Sequence, residues 1–218
     1  MTGNSWGSRR SRVAWLAGAG CALATLAPLP AGSEPGDVED LVGAACQSCH
    51  MIDGNSVVPL FPKLAAQQAH YLESQLEAWL EHKRPIEVME PFRDQVRKRD
   101  LAELAEYFAS KSPSPGVVAD PTLAGTGRLF YLDGNEESGV PACEACHQWE
   151  GGGNERYPRL AGQHQAYTIK ALQDFRSGAR TSDRRGIMNT IAGRMTDAEI
   201  EAVAEHIAGL SGNDEDTP

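Results

Sequence analysis

Cys46-Gln47-Ser48-Cys49-His50 returns, in type, as Cys143-Glu144-Ala145-Cys146-His147. C-x-x-C-H is the attachment pattern of c-type haem. Two thiols one helical turn apart add to the two vinyl groups of one haem, and the next residue sets an imidazole beneath the iron as proximal ligand. A lone C-x-x-C also serves as a redox dithiol or as half of a zinc site. Neither use explains a His in the same place after both pairs. Zinc pairs lie about 15–20 residues apart, whereas Cys46 and Cys143 are 97 apart. The chain is therefore read as carrying two covalent haem c groups, one on Cys46, Cys49 and His50, the other on Cys143, Cys146 and His147. Four of its five cysteines are spent in this way.

The repetition runs well past the cysteines. Phe61-Pro62-Lys63-Leu64-Ala65-Ala66-Gln67-Gln68 matches Tyr157-Pro158-Arg159-Leu160-Ala161-Gly162-Gln163-His164 at an offset of 96. The match continues through Tyr71/Tyr167, Leu76/Leu172 and Arg84/Arg180. Farther on, Asp100 to Ala105 matches Glu199 to Ala204 at an offset of 99. A period this long makes the unit a whole domain, not a solenoid repeat. Ser112-Pro113-Ser114-Pro115-Gly116 breaks the helical patterning between the copies. The predicted organisation is an N-terminal domain over 32–112, a linker at 113–116 and a C-terminal domain over 117–218.

Residues 1–31 read as an export signal. Arg9, Arg10 and Arg12 form a basic start, an apolar run follows from Val13 to Leu29, and small residues lie near Ala31. Cys21 falls inside this segment, with Gly18 where a lipid-attachment motif wants Leu. No other apolar stretch nears the roughly 18–20 residues needed to span a bilayer. Removing three arginines from 20 basic residues leaves 17 against 30 acidic ones, a net charge of −13. Nucleic acid is excluded as a partner on that balance, and the charge suits either a basic docking patch on a redox partner or ordinary solubility.

The fold class expected is all-α. Apolar residues recur at helical spacing over Asp37–Cys46, Gln68–His82 and Asp100–Ser110, and again over Thr122–Leu132, His164–Ser177 and Thr196–Leu210. Thr196-Asp197-Ala198-Glu199 is a capping box for the last of these. Strand patterns are absent. Lobes of this size bury little apolar surface unaided, so the haem-free chain is expected to fold poorly.

The repeat also selects the second axial ligands. Met89 lies 12 residues before Leu101, and Met188 lies 12 before Ile200. These two methionines are therefore equivalent and are the predicted partners of His50 and His147 on iron. Met195 aligns with Val96, which cannot bind iron, and is read as core. Met51, adjacent to His50, cannot reach the opposite haem face. His/Met ligation fills both axial positions and raises the potential, which favours outer-sphere electron transfer over oxygen or peroxide chemistry. His70, His82, His164 and His206 have no His counterparts and are not assigned to iron. Pro62 and Pro158 recur between the haem His and the long helix, either as simple turn residues or with a carbonyl that receives the proximal imidazole proton.

Taken together, the two C-x-x-C-H motifs, Asp53-Gly54-Asn55-Ser56, the two Pro-[Lys/Arg]-Leu-Ala segments and Met188-Asn189-Thr190-Ile191-Ala192 resemble the cytochrome c4 family of dihaem cytochromes. The resemblance covers nearly all of the chain after residue 31. It implies two tandem cytochrome c-like domains related by a pseudo-twofold, each wrapped around one His/Met haem. It also implies a periplasmic carrier, soluble or peripherally membrane-associated. Such a carrier passes single electrons from a quinol–cytochrome c oxidoreductase towards a terminal oxidase or reductase. Ala66 stands where the family usually has Gly, Met51 where Gly is common, and His206 where an aromatic often packs. Residues 133–141 add a loop rich in Gly and acids. The alternative function is the dihaem subunit of an oxidoreductase such as a sulfide-oxidising flavocytochrome. A dihaem peroxidase would need an open iron site, against which Met89 and Met188 argue.

Overall fold

The computed structural model describes residues 37–213, so the export signal read over 1–31, with Cys21, lies outside the described residues. The chain is helical, and β-pairing among the described residues is limited to an isolated bridge between Asn135 and Val140. Helix α1 (Asp37–Leu41) passes through a π-helical turn, Val42–Cys46, into α2 (Gln47–His50). Then come α3 (Ala69–Leu80), α4 (Arg93–Arg97) and α5 (Leu101–Ala109). The second half holds α6 (Pro121–Asp133), α7 (Glu144–His147), α8 (Gln165–Ser177), α9 (Ile187–Ala192) and α10 (Asp197–Gly209).

The starts of the long helices follow from their caps. Asp100 accepts from the N–H groups of Ala102 and Glu103, and Asp120 from those of Thr122 and Leu123. Pro121 opens α6, where its missing N–H costs nothing. Thr196 and Glu199 close the expected capping box. Each such cap stabilises its helix by about 1 kcal/mol.

Two separate cores form. Leu41, Val42, Leu72, Trp79, Val96, Leu104 and Phe108 make the first. Tyr131, Val140, Phe175, Met195, Ile200, Val203 and Ile207 make the second. Helix α3 packs on α5 in the first lobe, and α6 and α8 pack on α10 in the second. The α6–α10 crossing is close because Gly127 presents no side chain there; a Cβ at that position would collide with the Ala202 carbonyl. The loop that extends the second half is ordered. Asn135 and Val140 exchange backbone hydrogen bonds of 2.8 and 2.9 Å, Asn135 Nδ2 donates to Glu199, and Arg194 donates to the Gly139 carbonyl.

The lobes meet across reciprocal contacts. Gln163 accepts the Lys63 N–H at 2.9 Å and donates to the Lys63 carbonyl at 3.0 Å. Gln67, its repeat partner, accepts the Arg159 N–H and donates to the Arg159 carbonyl, both at 2.9 Å. Gln68 donates to the Gly152 carbonyl, and its partner His164 meets the Ser56 carbonyl through Nε2. Equivalent residues thus grip equivalent backbone on the opposite lobe, which is what a twofold junction requires. The Pro/Ser/Gly stretch is strapped down beside it: Asn55 bonds the Ser112 carbonyl and the Ser114 N–H, and Lys63 Nζ reaches the Ser114 and Pro115 carbonyls.

Candidate functional site: two haem-binding lobes

Both C-x-x-C-H motifs lie on a short helix that delivers its histidine into the lobe. His50 is 9% exposed and His147 7%. His50 Nδ1 lies 2.9 Å from the Pro62 carbonyl, and His147 Nδ1 lies 2.9 Å from the Pro158 carbonyl. A carbonyl only accepts, so Nδ1 carries the proton in each ring and Nε2 keeps its lone pair for a metal. Burial pushes both imidazole pKa values down, with the Arg84 charge adding to the effect at His50. Each ring is therefore held neutral, the form that ligates iron. Each motif ends in a left-handed residue, Met51 at φ 62° and Gln148 at φ 73°. The chain then turns back over Gly54 or Gly151, whose carbonyl accepts from Leu64 and Ala65, or from Leu160 and Ala161. A Cβ at Gly54 would press on the Ala65 backbone and Phe108.

The cysteines are partly buried and unpaired. Burial raises the Cys46 thiol, beside Cys49, to about 11, and raises Cys143 to about 11 as well. Redox dithiols need the opposite shift. Among the described residues no three His, Cys, Asp or Glu side chains converge as a metal site. The donors instead divide into one C-x-x-C-H per lobe, which suits covalent haem and not a zinc tetrad.

Met89 lies on a 3₁₀ turn, Glu87–Phe92, and packs against the first core. Met188 lies on α9 and packs against the second. The residue after each methionine ties its segment to the preceding long helix. Glu90 accepts from Trp79 Nε1 and from Arg93, whose hydrogen bond draws the Glu90 carboxyl down to about 2. Asn189 donates to the Phe175 and Arg180 carbonyls. The Met188 N–H is fixed by Asp183 Oδ2 at 2.6 Å, while Asp183 Oδ1 is buried without a partner. Met195 and Val96 are both core residues, buried at equivalent positions.

Two guanidiniums meet at the lobe junction, a role the sequence did not disclose. Arg84 Nη2 donates to Tyr167 at 2.7 Å, and Arg180 Nη2 donates to Tyr71 at 2.6 Å. Both pairs appear in the sequence only as repeated letters. Neither arginine enters an ion pair with a described carboxylate, although Arg180 is 4% exposed. A buried cation is costly unless it is paired and hydrogen-bonded. For Arg180, burial opposes the charge, but the Tyr71 and Tyr167 hydroxyls and the Asp174 charge favour it, its Nε donates to Ser182 Oγ at 3.1 Å, and its guanidinium lies over the Phe175 ring. The other cations go elsewhere: Arg93 stacks on Trp79, and Arg176 pairs with Asp197. His206 packs edge-on against Tyr131, and His82 is near Arg93.

Comparison with known proteins agrees with this geometry. The cytochrome c family matches residues 132–211, and the family of subunit III of cbb3-type cytochrome c oxidase matches residues 34–108. Cytochrome c4 of Thiocapsa roseopersicina is 39% identical over 188 residues, covering 85% of this chain and 97% of that one. The crystal structure of reduced cytochrome c4 from Pseudomonas stutzeri superposes with a TM-score of 0.75 at 39% identity, covering 79% of this chain and 96% of that one. A thiosulfate dehydrogenase electron acceptor from Thiomonas intermedia is 34% identical, covering 76% of this chain and 78% of that one. Two helical cytochrome c domains, two covalent haem c motifs and these relatives make the protein a dihaem electron carrier and not an enzyme. The chain belongs to the cytochrome c4 family.

Proposed function

We propose that this carrier works in the periplasm and passes single electrons from a quinol-oxidising complex towards a terminal oxidase or reductase. Its two domains span 32–112 and 117–218, joined at 113–116 behind an export signal over 1–31. The observation that carries the reading is the matched pair of histidines, each with Nδ1 held by a proline carbonyl and Nε2 left for iron. Cys46 and Cys49 would hold the first haem and Cys143 and Cys146 the second. His50 with Met89, and His147 with Met188, would close the axial positions. A bound haem supplies the one-electron couple. The chain keeps the imidazoles neutral and oriented, excludes water with its two cores, and presents two methionine segments that are themselves anchored. A thioether favours ferrous iron and so raises the potential. No helix among the described residues is long and apolar enough to cross a membrane, and a soluble or peripherally bound carrier fits that.

A second reading is that the chain accepts electrons from a sulfur-oxidising dehydrogenase. It is favoured by the 34% identity to a thiosulfate dehydrogenase electron acceptor. A spectrum of the purified protein, with pyridine haemochrome quantitation and the far-red sulfur-to-iron band, tests the site. Two haems with a full-strength band are expected, and half the band or less refutes the paired methionines. Stopped-flow reduction by a quinol-oxidising complex and by a thiosulfate-oxidising enzyme then separates the two readings.

A further inference from the structure

The two methionine segments are tied to the same backbone atom by different chemistry. Helices α3 and α8 end alike. The carbonyls of Trp79 and Phe175, equivalent in the repeat, each accept the N–H of a left-handed residue three positions on, His82 at φ 61° and Gly178 at φ 75°. Each carbonyl also takes a side-chain donor from the segment that carries the methionine. In the second lobe that donor is Asn189, next to Met188, whose Nδ2 lies 2.6 Å from the Phe175 carbonyl. In the first lobe the residue next to Met89 is Glu90, and a carboxylate has no hydrogen to give. Arg93 supplies it. Its Nη1 donates to the Trp79 carbonyl at 3.1 Å and to the Leu80 carbonyl at 3.0 Å. Nε and Nη2 of the same guanidinium reach Glu90 at 2.7 and 2.5 Å. The guanidinium lies 4.9 Å from the centre of the Trp79 ring, and Trp79 Nε1 donates to Glu90 at 3.2 Å. The Arg93 side chain is 11% exposed. Its repeat counterpart is Ala192, fully buried and without a polar side-chain atom. One amide in the second lobe thus does what takes a carboxylate and a guanidinium in the first.

We propose that Glu90 and Arg93 together form the positioning unit that keeps Met89 at the first iron, as Asn189 does for Met188 at the second. The unit works by geometry. Glu90 is one peptide link from Met89, so whatever fixes its carboxylate restrains the ligand residue. The end of α3 is the fixed point, because Trp79 is fully buried and the last carbonyls of a helix favour a cation. The two-pronged contact between Arg93 and Glu90 sets direction as well as attraction. Without Arg93 the carboxylate keeps the Trp79 indole N–H but loses its tie to the helix end. The two residues are therefore coupled, and the second lobe shows the one-residue solution that replaces both. The inference rests on the dihaem His/Met reading above.

The test uses the holoprotein, with the second haem as internal control. Three variants are compared: Arg93→Ala; Glu90→Gln, which keeps the shape and removes the charge; and Glu90→Asn with Arg93→Ala, which copies Asn189 and Ala192. The readouts are the far-red sulfur-to-iron band of the oxidised protein, the rate of carbon monoxide binding to the reduced protein and the two midpoint potentials. Arg93→Ala is expected to raise carbon monoxide binding at the first haem several-fold, to weaken that haem's share of the band and to lower its midpoint, with the second haem unchanged. Glu90→Gln moves the same readouts the same way by a smaller factor. The double variant returns the band and the binding rate towards wild type although it carries one more change, a rescue that loss of packing would not give. A first haem unchanged in both Arg93→Ala and Glu90→Gln overturns the proposal, and so does a double variant no better than Arg93→Ala. If Arg93→Ala yields no holoprotein, Glu90→Gln against wild type decides by the same readouts. A wild-type protein lacking two haems or the full band would instead overturn the ligand reading beneath it.

Discussion

The grip between the lobes can be broken one hand at a time. Gln163→Ala removes the side chain that, among the described residues, meets both the Lys63 N–H and its carbonyl from across the junction. Each hydrogen bond contributes about 1 kcal/mol net, and stranding a part-buried amide adds to that. The local cost is therefore about 2–3 kcal/mol, which raises the open population of the junction by about 30–150-fold at 1.4 kcal/mol per decade. Gln67→Ala should do less at the matching place. The Arg159 N–H is shared between Gln67 at 2.9 Å and Gln68 at 2.8 Å, so an acceptor remains. Amide hydrogen exchange of the holoprotein reads both sites directly, since protection reports local opening. Lys63 should lose protection strongly in Gln163→Ala, while Arg159 loses only part of its protection in Gln67→Ala. The double variant should fall short of the summed effects, because both hands hold one junction. Unchanged exchange at Lys63 in Gln163→Ala would refute the reasoning, since the clamp would then hold nothing in solution.

Met89→Ala is expected to open the first haem alone: carbon monoxide binds there, half of the far-red band is lost, and the second haem is unchanged. Asp183→Ala removes the acceptor of the Met188 N–H and should weaken the second haem's share of that band, whereas Asp183→Asn keeps an acceptor oxygen and should preserve it. Ala66 stands at φ 56°, so Ala66→Gly trades about 1–2 kcal/mol of left-handed strain against about 0.4–1 kcal/mol of unfolded-state entropy. A rise of a few degrees in the melting midpoint should result. Burial, with Lys63 nearby, pushes the His164 pKa below its ordinary value while Nε2 faces the Ser56 carbonyl. A depressed histidine binds fewer protons folded than unfolded, so its contribution is complete above the unfolded value of about 6.5 and is lost as pH falls below it. His164→Gln, which copies Gln68, should flatten part of the acid side of the melting profile.

Some of this architecture is plain in the sequence because it rests on local chemistry. The haem motifs, the capping box at Thr196 and the five long helices α3, α5, α6, α8 and α10 depend on spacing alone. The methionine register was legible because the repeat shifts from an offset of 96 to 99 beyond Arg84 and Arg180. The structure explains that shift. Ala66 N–H bonds the Phe108 carbonyl and Gly162 N–H bonds the Ile207 carbonyl, so Phe108 and Ile207 are equivalent. The extra residues fall between Arg180 and Met188, where Arg185 at φ 62° and Gly186 at φ 68° form a left-handed turn. The π turn before α2, the closed loop at 134–140 and the roles of Gln67, Gln75, Arg84 and Arg180 were not legible. Each depends on what tertiary packing brings opposite a side chain, and periodicity carries no record of that.

The chemistry of the junction accounts for which repeated letters persisted and which drifted. Gln67 and Gln163 read backbone, one N–H and one carbonyl each, so the residue they read can change freely: Lys63 in one lobe is Arg159 in the other. Gln68 and His164 differ, yet both offer an N–H donor to a carbonyl, and the contact survives the exchange. Arg84, Arg180, Tyr71 and Tyr167 recognise each other's side chains, and none has changed type. Gln75 has no such tie to symmetry. Its oxygen accepts from two arginines and a serine, and its repeat counterpart is Ala171. With Gln75 on one side of the twofold and Ala171 on the other, the duplicated scaffold has two unequal halves.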